Sequence, residues 1–205
     1  LLSDPARAVR MEAAPVIAGA GALPAPTSMA AFDTAIAEFE SAQRGNLDRP
    51  EAWLNLGNLA AWRGDAAGAE DAYRRALQRD PRFVPATINL SDLYRATGRE
   101  ADAEQVLREG LQATPAAPAL HEAIGLALVR QGRKREALGE LEAAHRAAPE
   151  EPRQAYVYAL ALADAGQGAE AIRLLEDSAR RAGGTRDVLL ALAACGSGEP
   201  PPSAS

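Results

Sequence analysis

Large apolar side chains return along this chain at a fixed interval. Leu56, Leu90, Ile124 and Tyr158 form one row, and Tyr73, Leu107, Leu141 and Leu175 form a second, each member 34 residues after the last. Small residues keep the same step at Gly57, Ser91, Gly125 and Ala159, and again at Ala76, Gly110, Ala144 and Ser178. A large and a small row repeating together on helical spacing predict paired helices, with the small positions as points of close approach. Between the members of a pair stand Gly64, Gly98, Gly132 and Gly166, where a left-handed residue ends one helix and turns the chain into the next. Pro81, Pro115 and Pro149 mark where each second helix stops, because the residue before a proline is driven out of helical geometry. The predicted unit is therefore helix, tight turn, helix, short turn, and a period of this length signals a stacked repeat array.

Four units are predicted, at 50–83, 84–117, 118–151 and 152–183, the last carrying Gly183 where proline would stand. Upstream, Ala35, Phe39 and Ala42 fit a second helix, so 28–49 reads as a lone helix or degenerate half repeat behind a Pro/Ala linker at 21–27. Downstream, TRDVLLALAA lies within a predicted capping helix at 184–195, and 196–205 reads as a disordered tail. Residues 1–20 place Asp-Pro at the head of an amphipathic stretch, as at a helix start.

The repeat resembles the tetratricopeptide repeat (TPR): Trp53, Leu56, Gly57, Ala69, Tyr73, Ala76 and Pro81 match that family's signature positions across 50–83. The resemblance implies an all-α fold, a right-handed superhelix of stacked antiparallel helix pairs, and a protein- or peptide-binding scaffold rather than an enzyme. In that family the first helices form the inner wall of a peptide-binding groove. On those helices the candidate peptide-contacting residues are Asn58, Trp62, Ile88, Asn89, Asp92, Arg95, Glu122 and Tyr156. Some TPR domains hold a terminal carboxylate with two lysines, two asparagines and an arginine. Asn58 and Asn89 match the asparagines, but Leu54, Ala119 and Ala123 stand in place of the cations. Without paired cations the charge-assisted bonds of such a clamp are missing, so capture of a chain end is rejected. Two readings of the asparagines stay open: they hold the main chain of an extended peptide, or they only bridge adjacent first helices.

The stretch 1–20 also resembles the second half of a HEAT-type repeat, with an ordinary amphipathic helix interrupted near Pro15 as the alternative. A HEAT-like helix before a TPR array is similar to the haem-free carboxyl end of some bacterial multihaem cytochromes c. That would imply a periplasmic setting in place of a cytoplasmic one. No CxxCH sequence is present, so the chain by itself is expected to bind no haem and needs no other cofactor. It opens on LLSDP, with neither an initiator methionine nor a signal segment, and reads as trimmed from something longer.

Composition narrows the function further. The 47% hydrophobic share with only 4% aromatic residues favours helices over sheets. A formal charge of −6 with scattered basic residues argues against nucleic acid as a partner, and no apolar run approaches the roughly 20 residues of a membrane span. The basic run 130–136 falls where a helix should end, a favourable place for solvated cations. No phosphate loop, zinc spacing or nucleophile motif is present. His121 and His145 read as surface or interhelical histidines, and Cys195 as a buried or tail thiol. The partner expected is a protein or peptide, with pairing between copies of the chain as the alternative.

Overall fold

The computed structural model describes residues 29–182. The HEAT-like stretch, the linker, the capping helix, the tail and Cys195 lie outside the described residues. Nine helices are found among the described residues: α1 (Met29–Arg44), α2 (Pro50–Trp62), α3 (Ala66–Arg79), α4 (Val84–Ala96), α5 (Glu100–Ala113), α6 (Pro118–Arg130), α7 (Lys134–Ala147), α8 (Pro152–Asp164) and α9 (Gly168–Ala182).

Local chemistry sets these boundaries. Pro50, Pro118 and Pro152 open α2, α6 and α8 at the first turn, where a missing N–H costs nothing and the fixed φ is already helical. Asp65 caps α3 by accepting from the Gly68 N–H at 2.9 Å. Each first helix ends in the same way: Gly64, Gly98, Gly132 and Gly166 take φ between 74° and 81°. In the turn after α2, Gly64 N–H then reaches Ala61 O at 3.0 Å and Asp65 N–H reaches Ala60 O at 2.9 Å. Equivalent pairs of bonds close α4, α6 and α8, so four helix ends satisfy their last carbonyls through one glycine-dependent motif. The second helices α3, α5 and α7 stop two residues before Pro81, Pro115 and Pro149.

The chain divides into two compact units that part between Val106 and Leu107, inside α5. In the first unit α1 lies on α2, α2 pairs with α3, α3 packs on α4, and α2 also touches α4. Gly57 lets the α2–α3 pair close, because a Cβ there would collide with the ring of Tyr73. One core cluster joins Phe32, Ala35, Ile36 and Phe39 of α1 to Leu59 of α2, and another joins Ala69, Tyr73, Leu90, Tyr94, Ala103 and Val106. The second cluster is fastened by polar groups. Glu70 accepts from the Tyr94 hydroxyl at 2.9 Å, from Arg74 at 3.0 Å and from Arg99 at 2.7 Å, while the Arg99 guanidinium lies 4.2 Å from the Tyr94 ring centroid. Burial works against the Glu70 charge, but these donors outweigh it and hold the carboxyl below its ordinary range.

In the second unit α6 pairs with α7, α7 packs on α8, α8 pairs with α9, and α6 touches α8. Leu120, Ile124, Leu128, Leu141, Leu162 and Leu175 are fully buried, each worth about 1.5–3 kcal/mol when removed from water. His121 ties α6 to α7, with Nδ1 2.7 Å from Glu140 Oε2 and Nε2 3.0 Å from the Pro115 carbonyl. His145 on α7 is half-buried beside Tyr158, and its Nδ1 has no partner among the described residues.

Candidate functional site

In the first unit the open face of the first helices is built from α2 and α4. The helical step puts Leu54, Asn58 and Ala61 on one stripe of α2, and Ile88, Asn89, Asp92 and Arg95 on one stripe of α4. Contact between α2 and α4 brings the two asparagines together: Asn89 Nδ2 donates to Asn58 Oδ1 at 2.7 Å. The same oxygen accepts from the Tyr73 hydroxyl at 2.9 Å, so its two lone pairs are filled. Burial raises the Tyr73 phenol above its ordinary range; the Asn89 amide opposes the shift and the Asp92 carboxylate adds to it. The phenol is therefore a dependable donor. Ile88 is half-buried beside the pair, while Asp92 and Arg95 are exposed and joined by a long contact of 3.4 Å. An exposed ion pair of that kind contributes little, which leaves both groups available to a ligand.

In the second unit the corresponding face is built from α6 and α8, and its chemistry differs. Glu122, expected on the open face, is buried, with 6% of its surface exposed. The reason is a local polar cluster: Glu122 accepts from Arg153 Nε at 2.9 Å and from the Gln154 amide at 2.6 Å. The carboxylate raises the Arg153 guanidinium above its ordinary range through the hydrogen bond first and charge second. Glu122 thus ties α6 to α8 and is withdrawn from ligand contact. Tyr156 is half-buried against the cluster formed by Ala159, Leu162, Ala171 and Leu175.

Trp62 is turned away from the α2–α4 face. It packs on the α1 cluster, with its ring edge-on to Phe32 at 5.5 Å between centroids and 68° between planes. Asn55 points the same way and donates to Gln43 of α1 at 3.1 Å. A helix upstream of the first full repeat draws both side chains to itself. Of the candidate residues, the fold brings Asn58, Ile88, Asn89, Asp92 and Arg95 together, leaves Tyr156 in the other unit, and commits Trp62 and Glu122 to packing.

Two participants are not among the sequence candidates. Tyr73 reads as a core residue, yet it is the only polar member of a row otherwise filled by Leu107, Leu141 and Leu175. Gln154 likewise occupies a row filled elsewhere by Ala52, Ala86 and Leu120. In both cases a polar exception within an apolar row was the available signal.

Comparison with known proteins agrees with the repeat fold. One tetratricopeptide repeat profile matches residues 61–127, and a second matches 30–83 and 122–187. Among solved structures, a thermophilic TPR protein in Thermus thermophilus is 21% identical with a TM-score of 0.65, over 93% of this chain and 98% of that one. YrrB, described as a TPR protein with an unusual peptide-binding site, is 19% identical with a TM-score of 0.56, over 77% and 81% of the two chains. MamA protein is 21% identical with a TM-score of 0.58, over 73% and 81%. No curated protein sequence matches the chain. The HEAT-like stretch, on which the cytochrome likeness rests, lies outside both the residues matched by the profiles and the described residues. With one profile spanning more than half of its length, the chain belongs to the tetratricopeptide repeat family.

Proposed function

We propose that this protein is a non-catalytic scaffold whose first unit binds an extended protein segment across α2 and α4, with Asn58 and Asn89 holding the segment's main chain. TPR repeats imply a protein-interaction scaffold, and the chain's own residues support the finer reading. The observation that carries it is the exposed amide pair, drawn from two adjacent repeats and set side by side at 2.7 Å. An amide offers a donor and an acceptor at once, which is what an extended backbone requires of a partner. Ile88 supplies an apolar surface next to the pair, and Asp92 and Arg95 supply charge.

The bond between the asparagines does not compete with this role. It uses Asn58 Oδ1 and one Asn89 hydrogen, and the structure shows no protein partner for Asn58 Nδ2 or Asn89 Oδ1 among the described residues. Peptides selected from a displayed random library provide the probe. Asn58→Ala and Asn89→Ala should each weaken their binding by about 0.5–1.5 kcal/mol, measured by calorimetric titration. Selected peptides that bind both variants as tightly as the unaltered protein contradict the proposal.

A further inference from the structure

We infer that the segment held on the α2–α4 face carries a lysine or arginine, and that Asp92 is the residue that pairs with it. The inference rests on the peptide-binding reading above and names the charge of its ligand.

The 34-residue step puts Asp92 in the second repeat where Asn58 stands in the first. The two positions differ in what fills them. Asn58 Oδ1 accepts from the Tyr73 hydroxyl at 2.9 Å and from the Asn89 amide at 2.7 Å. One repeat later those donors give way to Leu107 and Ala123, whose side chains have no hydrogen to donate. A satisfied amide is thus replaced by a carboxylate that has lost both side-chain donors. The one hydrogen-bond or ion-pair partner of Asp92 among the described residues is Arg95, three residues on in the same helix, through a single nitrogen at 3.4 Å. With the two side chains 61% and 45% exposed, that contact is screened by water and holds neither group firmly.

A cation carried in by a bound segment meets better conditions. The Asp92 charge is felt at the Tyr73 phenol, which places the carboxylate close to the amide cluster. A lysine or arginine that reaches Asp92 therefore extends from a main chain already held by Asn58 and Asn89, and the segment itself displaces the water that weakens an exposed ion pair. Asp92 is short and fixed to α4 beside the amides, whereas the Arg95 guanidinium ends a long side chain that is free to swing into solvent. The formal charge of −6 on the chain also favours the approach of a basic segment over an acidic one.

The test uses peptides selected from a displayed random library and keeps those that Asn58→Ala or Asn89→Ala weakens in calorimetric titration. These peptides should share a lysine or arginine at one position. Asp92→Asn, which keeps the shape and removes the charge, should weaken them about two- to fivefold. Replacing the shared basic residue of the peptide by norleucine should cost the same factor, and the two losses should not add. Arg95→Gln removes the competing cation and should strengthen binding. Peptides that bind Asp92→Asn as tightly as the unaltered protein overturn the pairing and leave the peptide reading standing. So do peptides that Arg95→Gln weakens, since they place an acidic ligand group on Arg95. If neither Asn58→Ala nor Asn89→Ala weakens any selected peptide, the peptide reading itself fails.

Discussion

At the scale of single residues, one position in each repeat shows how backbone approach decides what a side chain is able to do. Gly57 and Gly125 are equivalent, as are Ser91 and Ala159, which already carry a Cβ. A Cβ at Gly57 strikes the Tyr73 ring, and one at Gly125 comes within 2.6 Å of both Cγ and Cδ2 of the buried Leu141. Gly57→Ala and Gly125→Ala should therefore each cost about 1–3 kcal/mol, as read from denaturant midpoints. His145 gives a second residue-scale case. Burial pushes its pKa below the ordinary value and Arg181 adds to this, while Asp177 opposes it. The folded protein thus holds His145 neutral where the unfolded chain takes up a proton, so stability falls as pH drops below the ordinary histidine range. Leu77 and Leu111 occupy the same row. His145→Leu should raise the melting temperature by roughly 2–4 °C for about 1 kcal/mol and flatten its fall with acid, measured by scanning calorimetry across that range.

At the scale of elements, α6 and α8 are joined by a polar cluster in which Glu122 and Gln154 are buried and Gln154 Oε1 has no partner among the described residues. Removing one partner from such a cluster leaves the other unsatisfied, whereas replacing both by apolar groups removes the cost together with the bond. Glu122→Ala should destabilise the protein by about 3–5 kcal/mol if the pair behaves as fully buried, and less in proportion as Arg153, which is largely exposed, finds water. The double variant Glu122→Leu with Gln154→Leu should come close to the unaltered protein, and a double-mutant cycle of urea unfolding measures the difference. Element boundaries were the most legible feature of the sequence. Glycine past the first-helix ends and proline past the second-helix ends each act within a few residues and recur at the 34-residue step, so no tertiary context was needed to read them. The direction of Trp62 was not legible, since helical spacing places it on a stripe but does not say that Phe32 lies thirty residues upstream to receive it.

At the scale of the molecule, repetition explains both what was readable and what was not. Rows that recur define a common core, and the departures from those rows carry the individuality of each repeat. Asn58 and Asn89 were recognisable on the open face because polar residues there have no core to serve. Their mutual bond, and the Tyr73 hydroxyl bonded to Asn58, depend on how closely α2, α3 and α4 approach, which a one-dimensional pattern does not record. Glu122 shows the same effect in the opposite sense: its charge suggested an exposed site, and two neighbours on α8 made it interior. The repeats are thus alike in packing and unlike in surface chemistry, with bonded amides in the first unit and a buried carboxylate cluster in the second.

The most direct measurement is a titration of the isotopically labelled protein with a library-selected peptide, followed through the side-chain amide resonances of Asn58 and Asn89. Peptide binding across α2 and α4 predicts that both pairs of signals shift in proportion to occupancy while the asparagine in α1's following turn, Asn46, stays still. Shifts confined to second helices, with the Asn58 and Asn89 signals unmoved at saturation, would contradict it.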